Sequence, residues 1–534
     1  MIKKNIYFLI IPIISIIGGL WQNQYIYDGY HWGFIFSNSL DFIDGKIPYK
    51  EIFLEYGILQ TILNSIILIV FNKNVYSLLI FTCILYAISL YLITEITHKL
   101  TSNKLYSLFS VFIIFVLYPW PTIPWPNFFS FFFTILFCSF YISNRKINHI
   151  LAGISLGFAY LSFTTVYNLV IILFYFITLI IFLINKNKID KIQFYKFYYS
   201  SFSFIFVILI FFIYLIINNS FNIWIKYQLL PFIFNNIFGD SVYDLLLNYA
   251  YNLTIYPIKN FILEPQFTIY SLFFYSNIIL IIICLRNIIL NKKNKYNFEI
   301  LLINLILFSL NFYAQIFSIE KLATSLAIGT ISLTILISYL NKSENQLISI
   351  FLILFICIYS IIFTYPLQNS KYGGLRNAHL KEVYGYKNKV INQESTLFKN
   401  QKWTKKQWDT IDKIKLLQQE INKKCKIEYG VNLTSNTFYY TLISYKKIQI
   451  IPFYFKLHAK KLIKIFEPNL LINIQNQINK NNIMILSSEN NDKLFNLENY
   501  SEPKKINMGK YKNITNKILY VFVPKKCSQI IYQI

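Results

Sequence analysis

Eleven long apolar segments fill the first two-thirds of this 534-residue chain and decide what it can fold into. A helix needs about 20 mostly apolar residues to cross the hydrocarbon core of a bilayer. A backbone that crosses the core must also satisfy its polar groups internally. The sequence therefore predicts an all-α polytopic membrane bundle. The predicted spans are residues 6–22, 75–93, 105–120, 127–142, 149–165, 167–184, 199–217, 267–289, 299–317, 322–340 and 346–364.

A twelfth apolar run, residues 57–71, decides the topology, because at 15 residues it is short for a span. Cytoplasmic loops collect Lys and Arg. If the run does not cross the membrane and the N-terminus is cytoplasmic, most Lys and Arg residues fall in cytoplasmic loops. If the run does cross, every later loop moves to the opposite side of the membrane. We therefore predict an interfacial segment at 57–71 and eleven crossings, with the C-terminus outside. The bases placed inside are Lys3, Lys4, Lys99, Lys104, Arg145, Lys146, Lys186, Lys188, Lys191, Lys196, Lys292, Lys293, Lys295 and Lys342.

Two domains follow from this pattern: a membrane domain over residues 1–366 and a polar extracytoplasmic domain over 367–534. The outer face carries two long loops, residues 23–56 and 218–266, and the short proline-rich loop 119–126. Lys3 and Lys4 precede the first apolar segment, but no small-residue cleavage site follows it, so a retained first helix is expected. The expected location is the bacterial inner membrane, with juxtamembrane helices beside the spans.

The polar domain combines a helical stretch, residues 403–423, with strand-like runs at 448–453, 482–486 and 518–523. Such a mixture is typical of a small α/β or α+β unit. Its two cysteines, Cys425 and Cys527, are candidates for a disulfide if the domain lies in an oxidising compartment. The alternative is two unrelated thiols.

The formal net charge of +26 resembles that of a nucleic-acid-binding protein, but the composition points elsewhere. The bases are nearly all Lys, and Asn, Ile, Lys, Phe and Tyr are abundant together. Their codons are rich in A and T, which indicates a genome of low GC content. We predict no nucleic-acid partner; the lipid bilayer is the expected partner.

Acidic residues are scarce, yet five lie close together in the first outer loop: Asp28, Asp41, Asp44, Glu51 and Glu55. An acid just past a membrane helix should face protein or a water-filled cavity. We therefore predict a functional role for Asp28, with His31 on the same helical face. Asp41 and Asp44 are expected to be solvated loop residues, since Gly45 and Pro48 mark a turn.

The residues of this loop resemble those of the GT-C glycosyltransferases, in particular bacterial relatives of protein O-mannosyltransferase and of the lipid A aminoarabinose transferase. The resemblance covers roughly residues 1–200 and rests on an acid after the first helix and on three short stretches. These are Gly45-Lys46-Ile47-Pro48-Tyr49-Lys50-Glu51-Ile52-Phe53, Glu55-Tyr56-Gly57 and Leu151-Ala152-Gly153-Ile154-Ser155-Leu156-Gly157-Phe158-Ala159-Tyr160-Leu161.

The resemblance implies transfer of a sugar, with inversion, from a polyprenyl-phosphate-linked donor to a glycan, lipid or protein acceptor in the outer leaflet. It implies that Asp28 is the catalytic base or orients the acceptor. No cofactor is implied, and a metal is not supported by the residues present. The candidates for binding donor phosphate or sugar are His31, Lys50, Glu51, Glu55, Tyr56, Glu320, Lys321 and Arg376.

Two other functions remain open. A transporter or flippase for lipid-linked glycans would place ionisable residues or broken helices near the bilayer midplane. A non-catalytic assembly protein would present the C-terminal domain and leave the acid-rich loop without an evident role.

Overall fold

A computed structural model of the chain is mostly helical, with a small C-terminal sheet. The residues that the structure describes are 6–25, 31–54, 56–117, 124, 126–164, 171, 174–176, 178–180, 191–228, 247, 251, 254–259, 261, 265–290, 296–317, 323–342, 346–364, 389–391, 397–434, 436, 438–442, 446–448, 468–488, 495–507 and 518–527.

Most helices of the first part match the predicted apolar segments, whereas His31–Ile43 and Phe221–Gln228 are helices within the predicted outer loops 23–56 and 218–266. A 3₁₀ turn over Ile6–Leu9 precedes the first of them. They are α1 (Ile10–Asn23), α2 (His31–Ile43), α3 (Ile58–Val70), α4 (Val75–Thr101), α5 (Lys104–Leu117), α6 (Pro126–Tyr141), α7 (Lys146–Ser162), α8 (Lys191–Ile217), α9 (Phe221–Gln228), α10 (Pro265–Ile289), α11 (Asn297–Phe317), α12 (Ala323–Lys342) and α13 (Gln346–Thr364). The predicted span 167–184 is described only at positions 171, 174–176 and 178–180, which are helical.

Within the described residues, three helical stretches are long and apolar enough to cross a membrane by length and composition: Val75–Thr101, Lys191–Ile217 and Ser271–Ile289. Shorter apolar helices of 10–17 residues accompany them. The faces of α8 and α13 that point away from the other helices are rich in exposed Ile, Leu and Phe, as lipid contact requires. The helical, membrane-like character is thus confirmed, whereas the number of crossings stays a prediction.

Helix α3, the short run that governs the predicted topology, has 13 residues and is amphipathic. Its buried face carries Gln60, Asn64 and Leu68, whereas Ile66 and Ile69 are exposed. At 1.5 Å per residue the helix is about 20 Å long, which is less than the hydrocarbon thickness. A tight turn with positive φ at residues 72 and 73 then leads directly into α4.

Helices α7 and α8 pack closely through the two glycines of the GxxxG stretch. A Cβ atom at Gly153 would collide with the Ser200 carbonyl oxygen and the Ser203 hydroxyl, and one at Gly157 would collide with Val207. The Ser203 hydroxyl donates to the Ile150 carbonyl across this interface at 2.9 Å. The glycines therefore serve helix packing, as small residues commonly do between membrane helices.

The C-terminal part contains a two-stranded and a five-stranded sheet. The strands are β1 (Lys389–Ile391), β2 (Lys402–Thr404), β3 (Tyr429–Leu433), β4 (Lys446–Ile448), β5 (Ile483–Ser487), β6 (Lys504–Asn507) and β7 (Ile518–Phe522). The larger sheet has the order β4-β3-β5-β7-β6; β3 is parallel to β4 and β5, and β7 is antiparallel to β5 and β6. Its helices are α14 (Lys405–Lys424), α15 (Phe438–Leu442) and α16 (Pro468–Asn479).

A disulfide joins the end of α14 to the segment after β7. It links Cys425 to Cys527, whose Cα atoms are 5.7 Å apart. The start of α14 is fixed by a capping box, in which Thr404 and Gln407 exchange side-chain and backbone hydrogen bonds. The predicted helix at 403–423 therefore begins two residues later, and Trp403 belongs to β2.

The C-terminal part is hydrogen-bonded directly to two helices of the bundle. The Val75 N–H, at the start of α4, donates to the Leu397 carbonyl at 2.9 Å. The Lys402 N–H donates to the Gln24 carbonyl, just past the end of α1, at 2.6 Å. The end of α1, the start of α4 and the C-terminal part therefore meet at one end of the bundle, which we call the domain end.

Apolar contacts extend this junction. Phe36 of α2 and Phe398 have ring centroids 6.0 Å apart, and α15 packs on α2. One hydrophobic cluster contains residues from α2, α3 and α4 together with the tryptophans of the C-terminal part. Its members at the junction include Ile35, Phe36, Leu40, Leu68, Val75, Leu78, Leu79, Phe398, Trp403 and Trp408.

A buried ion pair lies near the starts of α8 and α11. Lys196 and Glu299 are 2.9 Å apart, with 2% of each side chain exposed. Lys196 also donates to the Asn144 side chain at 3.2 Å, and Gln193 donates to Glu299 at 2.9 Å. Asn144 precedes α7, whose far end lies at the domain end, so the pair sits about 25 Å away, at the opposite end of the bundle.

We expect Gly153→Ala to destabilise the protein by about 1–3 kcal/mol, because the new methyl group overpacks the α7–α8 interface. The measurement is the thermal unfolding midpoint of the purified protein in detergent. Ile147→Ala is the matched control, since Ile147 lies on the same helix with its side chain exposed. A Gly153→Ala midpoint equal to that of the control would contradict the close approach.

Candidate functional site

Helix α2 ends in a turn that folds the chain back on the helix. Gly45 adopts a φ of 86°, its N–H donates to Phe42, and the Lys46 N–H donates to the Asp41 carbonyl. This is the hydrogen-bond pattern of a Schellman cap, in which glycine takes the left-handed position. The turn brings the Lys46 ammonium to 2.9 Å from the Asp41 carboxylate.

Asp41 is therefore buried and ion-paired, and the expectation that it is a solvated loop residue was wrong. Its side chain is only 2% exposed, whereas that of Lys46 is 27% exposed. The turn at Gly45, from which solvent exposure of Asp41 was expected, is a helix cap, and it covers the Asp41 side chain. Asp44 does fit the expectation, since its side chain is 55% exposed and lies 3.7 Å from Lys73.

The next residues form a compact turn that buries Tyr49. The Glu51 carboxylate accepts from the Ile47 N–H at 2.8 Å, and the Tyr49 N–H donates to the Ile52 carbonyl at 3.0 Å. Tyr49 has a φ of 65°, which costs a non-glycine residue about 1 kcal/mol or more. Lys50 and Glu51, two predicted donor-binding residues, are exposed, and Glu51 stabilises the turn.

Tyr49 and Phe53 anchor this turn on α8 and α9. The Tyr49 ring lies 6.0 Å from Tyr227 and 6.4 Å from Phe211, and Phe53 lies 5.0 Å from Tyr227. Burial raises the pKa of Tyr49 well above its usual value, and the nearby Tyr160 raises it further. The phenol therefore stays protonated and acts as a packing group.

Tyr56 and Gly57 lie against the end of α7. A Cβ atom at Gly57 would collide with the Leu161 carbonyl oxygen, so only glycine fits there. The Tyr56 carbonyl accepts from the Thr164 hydroxyl, and the Tyr56 ring meets Phe163 edge-on at 5.1 Å. The predicted site residue Tyr56 is thus partly buried and fixes the loop to α7.

Helix α3 presents a polar stripe to its neighbours that sequence reasoning missed. The Gln60 amide donates to the Pro124 carbonyl, and the Ser65 hydroxyl donates to the Ser39 carbonyl of α2. Asn64 is fully buried, and among the described residues neither atom of its amide has a hydrogen-bond partner. The signal in the sequence that could have predicted this stripe is the recurrence of polar residues at spacings of three and four in an otherwise apolar helix.

These contacts bring three parts of the chain together at the domain end: the turn over residues 45–57, the end of α7 and Pro124. Tyr227, near the end of α9, covers the turn from another direction. Backbone carbonyls, buried amides and the Asp41–Lys46 ion pair therefore lie close together in this region.

Other predicted site residues lie partly or wholly outside the described residues. Asp28 falls in the segment between α1 and α2, and Glu55, Glu320, Lys321 and Arg376 are likewise outside. His31 is the first residue of α2, but its side chain is not among those described. In the described part, no group of three or more His, Cys, Asp or Glu side chains is placed to hold a metal ion.

Comparisons with protein-family models and with curated proteins found no match for this chain.

We expect Lys46→Met to lower the free energy of unfolding by about 2–3 kcal/mol, because it leaves the Asp41 carboxylate buried without its partner. The double variant Asp41→Asn/Lys46→Met should recover part of this loss. Thermal unfolding of the four proteins of the cycle measures the coupling. Lys73→Met, which removes an exposed and longer ion pair, is the control and should change little. Equal effects of Lys46→Met and Lys73→Met would contradict the buried pair.

Proposed function

We propose that this chain is a GT-C-type membrane glycosyltransferase. It moves a sugar from a polyprenyl-phosphate-linked donor to a glycan, lipid or protein acceptor at the outer face of the membrane. The observation that carries the proposal is the convergence at the domain end. The acid-rich loop meets the end of α7 and Pro124 there, beside the C-terminal domain.

The proposed topology has eleven crossings, a cytoplasmic N-terminus and an extracytoplasmic C-terminal domain. It is supported by the contacts of Gln24 and Val75 with the C-terminal part, which put the end of α1 and the start of α4 on one side. Helix α3 then enters and leaves on that same side, as an interfacial segment does. The disulfide between Cys425 and Cys527 supports an oxidising compartment for this side.

In the proposed reaction the acceptor oxygen or nitrogen attacks the anomeric carbon of the donor sugar. Its bond to that carbon forms as the bond from the carbon to the phosphate oxygen breaks, and the configuration inverts. Asp28 accepts the proton of the acceptor. The electron pair leaves with the phosphate, which needs cations or backbone donors. Arg376 and Lys321 are proposed cations for this charge.

The described loop residues are assigned supporting roles in this proposal. Lys46 neutralises Asp41, so that a second carboxylate adds no unpaired charge near the site. Tyr49, Phe53 and Gly57 fix the loop on the helices behind it. These contacts hold the loop in one geometry, which is what a positioned catalytic base requires.

The test is complementation of a deletion strain. The gene is restored as wild type, as Asp28→Asn or as Asp44→Asn, with equal protein levels in the membrane, and surface glycans are compared by gel and mass spectrometry. We expect Asp28→Asn to abolish transfer, because an amide accepts no proton at neutral pH. Asp44→Asn, an isosteric change at an exposed acid of the same loop, should retain it.

Two results would overturn the proposal. One is full complementation by Asp28→Asn. The other is accumulation of the lipid-linked sugar in the inner leaflet of the deletion strain, which indicates a flippase, because loss of a transferase leaves its donor in the outer leaflet.

A further inference from the structure

The Tyr49 hydroxyl is a buried donor that its packing role does not require. The side chain is 1% exposed, and its hydroxyl makes no hydrogen bond to any residue that the structure describes. The Thr164 hydroxyl is nearby, but it donates to the Tyr56 carbonyl and lies outside hydrogen-bond geometry with Tyr49. An unsatisfied buried hydroxyl lowers stability, and a phenylalanine would fill the same space without that cost.

The backbone at Tyr49 is unusual as well. Its φ of 65° lies in the left-handed region, which a bulky residue rarely adopts. The other non-glycine residues with positive φ in the described part of the chain are Asn, Lys or Ser, so Tyr49 is the only aromatic one there. Hydrogen bonds of Glu51 and Ile52 within the turn hold it in this conformation. Strained residues that their surroundings hold in place are concentrated at binding and active sites.

A second unsatisfied donor lies in the same group of aromatic rings. The Trp224 side chain on α9 is 7% exposed, and its indole N–H has no acceptor among the described residues. The Trp224 and Tyr49 rings both pack on Phe211, with centroids 5.7 Å and 6.4 Å from its centroid. Phe53 and Tyr227 complete this group, which we call the aromatic cluster. It therefore contains two buried donors that lack acceptors.

The donors and the rings together determine what kind of ligand fits. An indole N–H can only donate, so the missing partner must supply an acceptor. An isoprenoid chain has no acceptor. A phosphate would lose its hydration in the aromatic cluster without gaining a counter-charge from it. A sugar supplies hydroxyl and ring oxygens to the donors and apolar C–H faces to the rings.

We propose that the Tyr49 hydroxyl and the Trp224 indole N–H bind the sugar of the lipid-linked donor at the aromatic cluster. The inference rests on the proposed function and adds a sugar-binding subsite to it, without requiring a contact with Asp28. In the free protein the two donors are unsatisfied, and the bound sugar supplies their acceptors. Stability given up in this way for binding is common at functional sites.

Unfolding of the free protein is the first test. Tyr49→Phe removes the unsatisfied hydroxyl and keeps the ring, so the thermal midpoint of the full-length protein in detergent should stay equal or rise. Tyr500→Phe is the matched control. The Tyr500 hydroxyl is buried and donates to the Ile483 carbonyl at 2.8 Å, so its removal should lower the midpoint. A fall for Tyr49→Phe as large as that for Tyr500→Phe overturns the inference, because ordered water would then already satisfy Tyr49.

Binding to the purified full-length protein in nanodiscs of neutral lipid is the second test. The probes are polyprenyl phosphate that carries one hexose or one pentose, and bare polyprenyl phosphate. Tyr49→Phe should weaken binding of the preferred sugar-bearing probe about three- to tenfold, since one neutral hydrogen bond is lost. It should leave the affinity for bare polyprenyl phosphate unchanged. Trp224→Phe should act in the same direction, and Tyr500→Phe should change neither affinity.

Three binding results would overturn the inference. They are equal affinity of wild type and Tyr49→Phe for every sugar-bearing probe, an equal loss of affinity for bare polyprenyl phosphate, and the absence of any probe whose sugar raises its affinity. Tyr49-dependent sugar binding together with full complementation by Asp28→Asn would instead retain the sugar subsite and overturn the proposed function.

Discussion

The packing of the C-terminal domain on helices α1, α2 and α4 fixes the arrangement of the domain end. Two backbone hydrogen bonds tie residues 397 and 402 to α4 and α1, and a shared hydrophobic cluster joins the same segment to α2. Burying aromatic side chains such as Phe36 and Trp403 contributes about 1.5–3 kcal/mol each.

Within the bundle, the loop after α2 is held by backbone geometry as much as by side chains. Gly45 turns the chain back, Tyr49 adopts a left-handed conformation inside the turn, and Gly57 touches the α7 backbone. The described part of residues 41–57 is therefore fixed by contacts of its backbone. Its exposed charges, Lys50 and Glu51, lie on the surface of the turn, while Asp41 and Lys46 are the paired charges within it.

The sequence predicted the helices well because a membrane span is specified by composition over about 20 residues, which needs no knowledge of contacts. Strands β5 and β7 were likewise visible as apolar runs. Asp41 was misjudged because its burial depends on a cap that returns Lys46 to it. The Lys196–Glu299 pair joins residues 103 positions apart, and the unpartnered amide of Asn64 depends on the packing around α3, so neither could be read from local pattern.

We propose that the acid-rich loop and the C-terminal domain occupy one side of the membrane. This topology is tested by introducing one exposed cysteine at a time in a Cys357→Ser background and labelling intact spheroplasts with a membrane-impermeant maleimide. The remaining native cysteines are the buried Cys83, Cys138 and Cys284 and the disulfide-bonded Cys425 and Cys527. Lys50→Cys and Lys405→Cys sit on exposed positions of the loop and the domain, and Arg145→Cys sits on the opposite end of the bundle. The account predicts labelling of the first two from outside and of the third only after lysis. Labelling of Lys50→Cys and Lys405→Cys from different sides would contradict it.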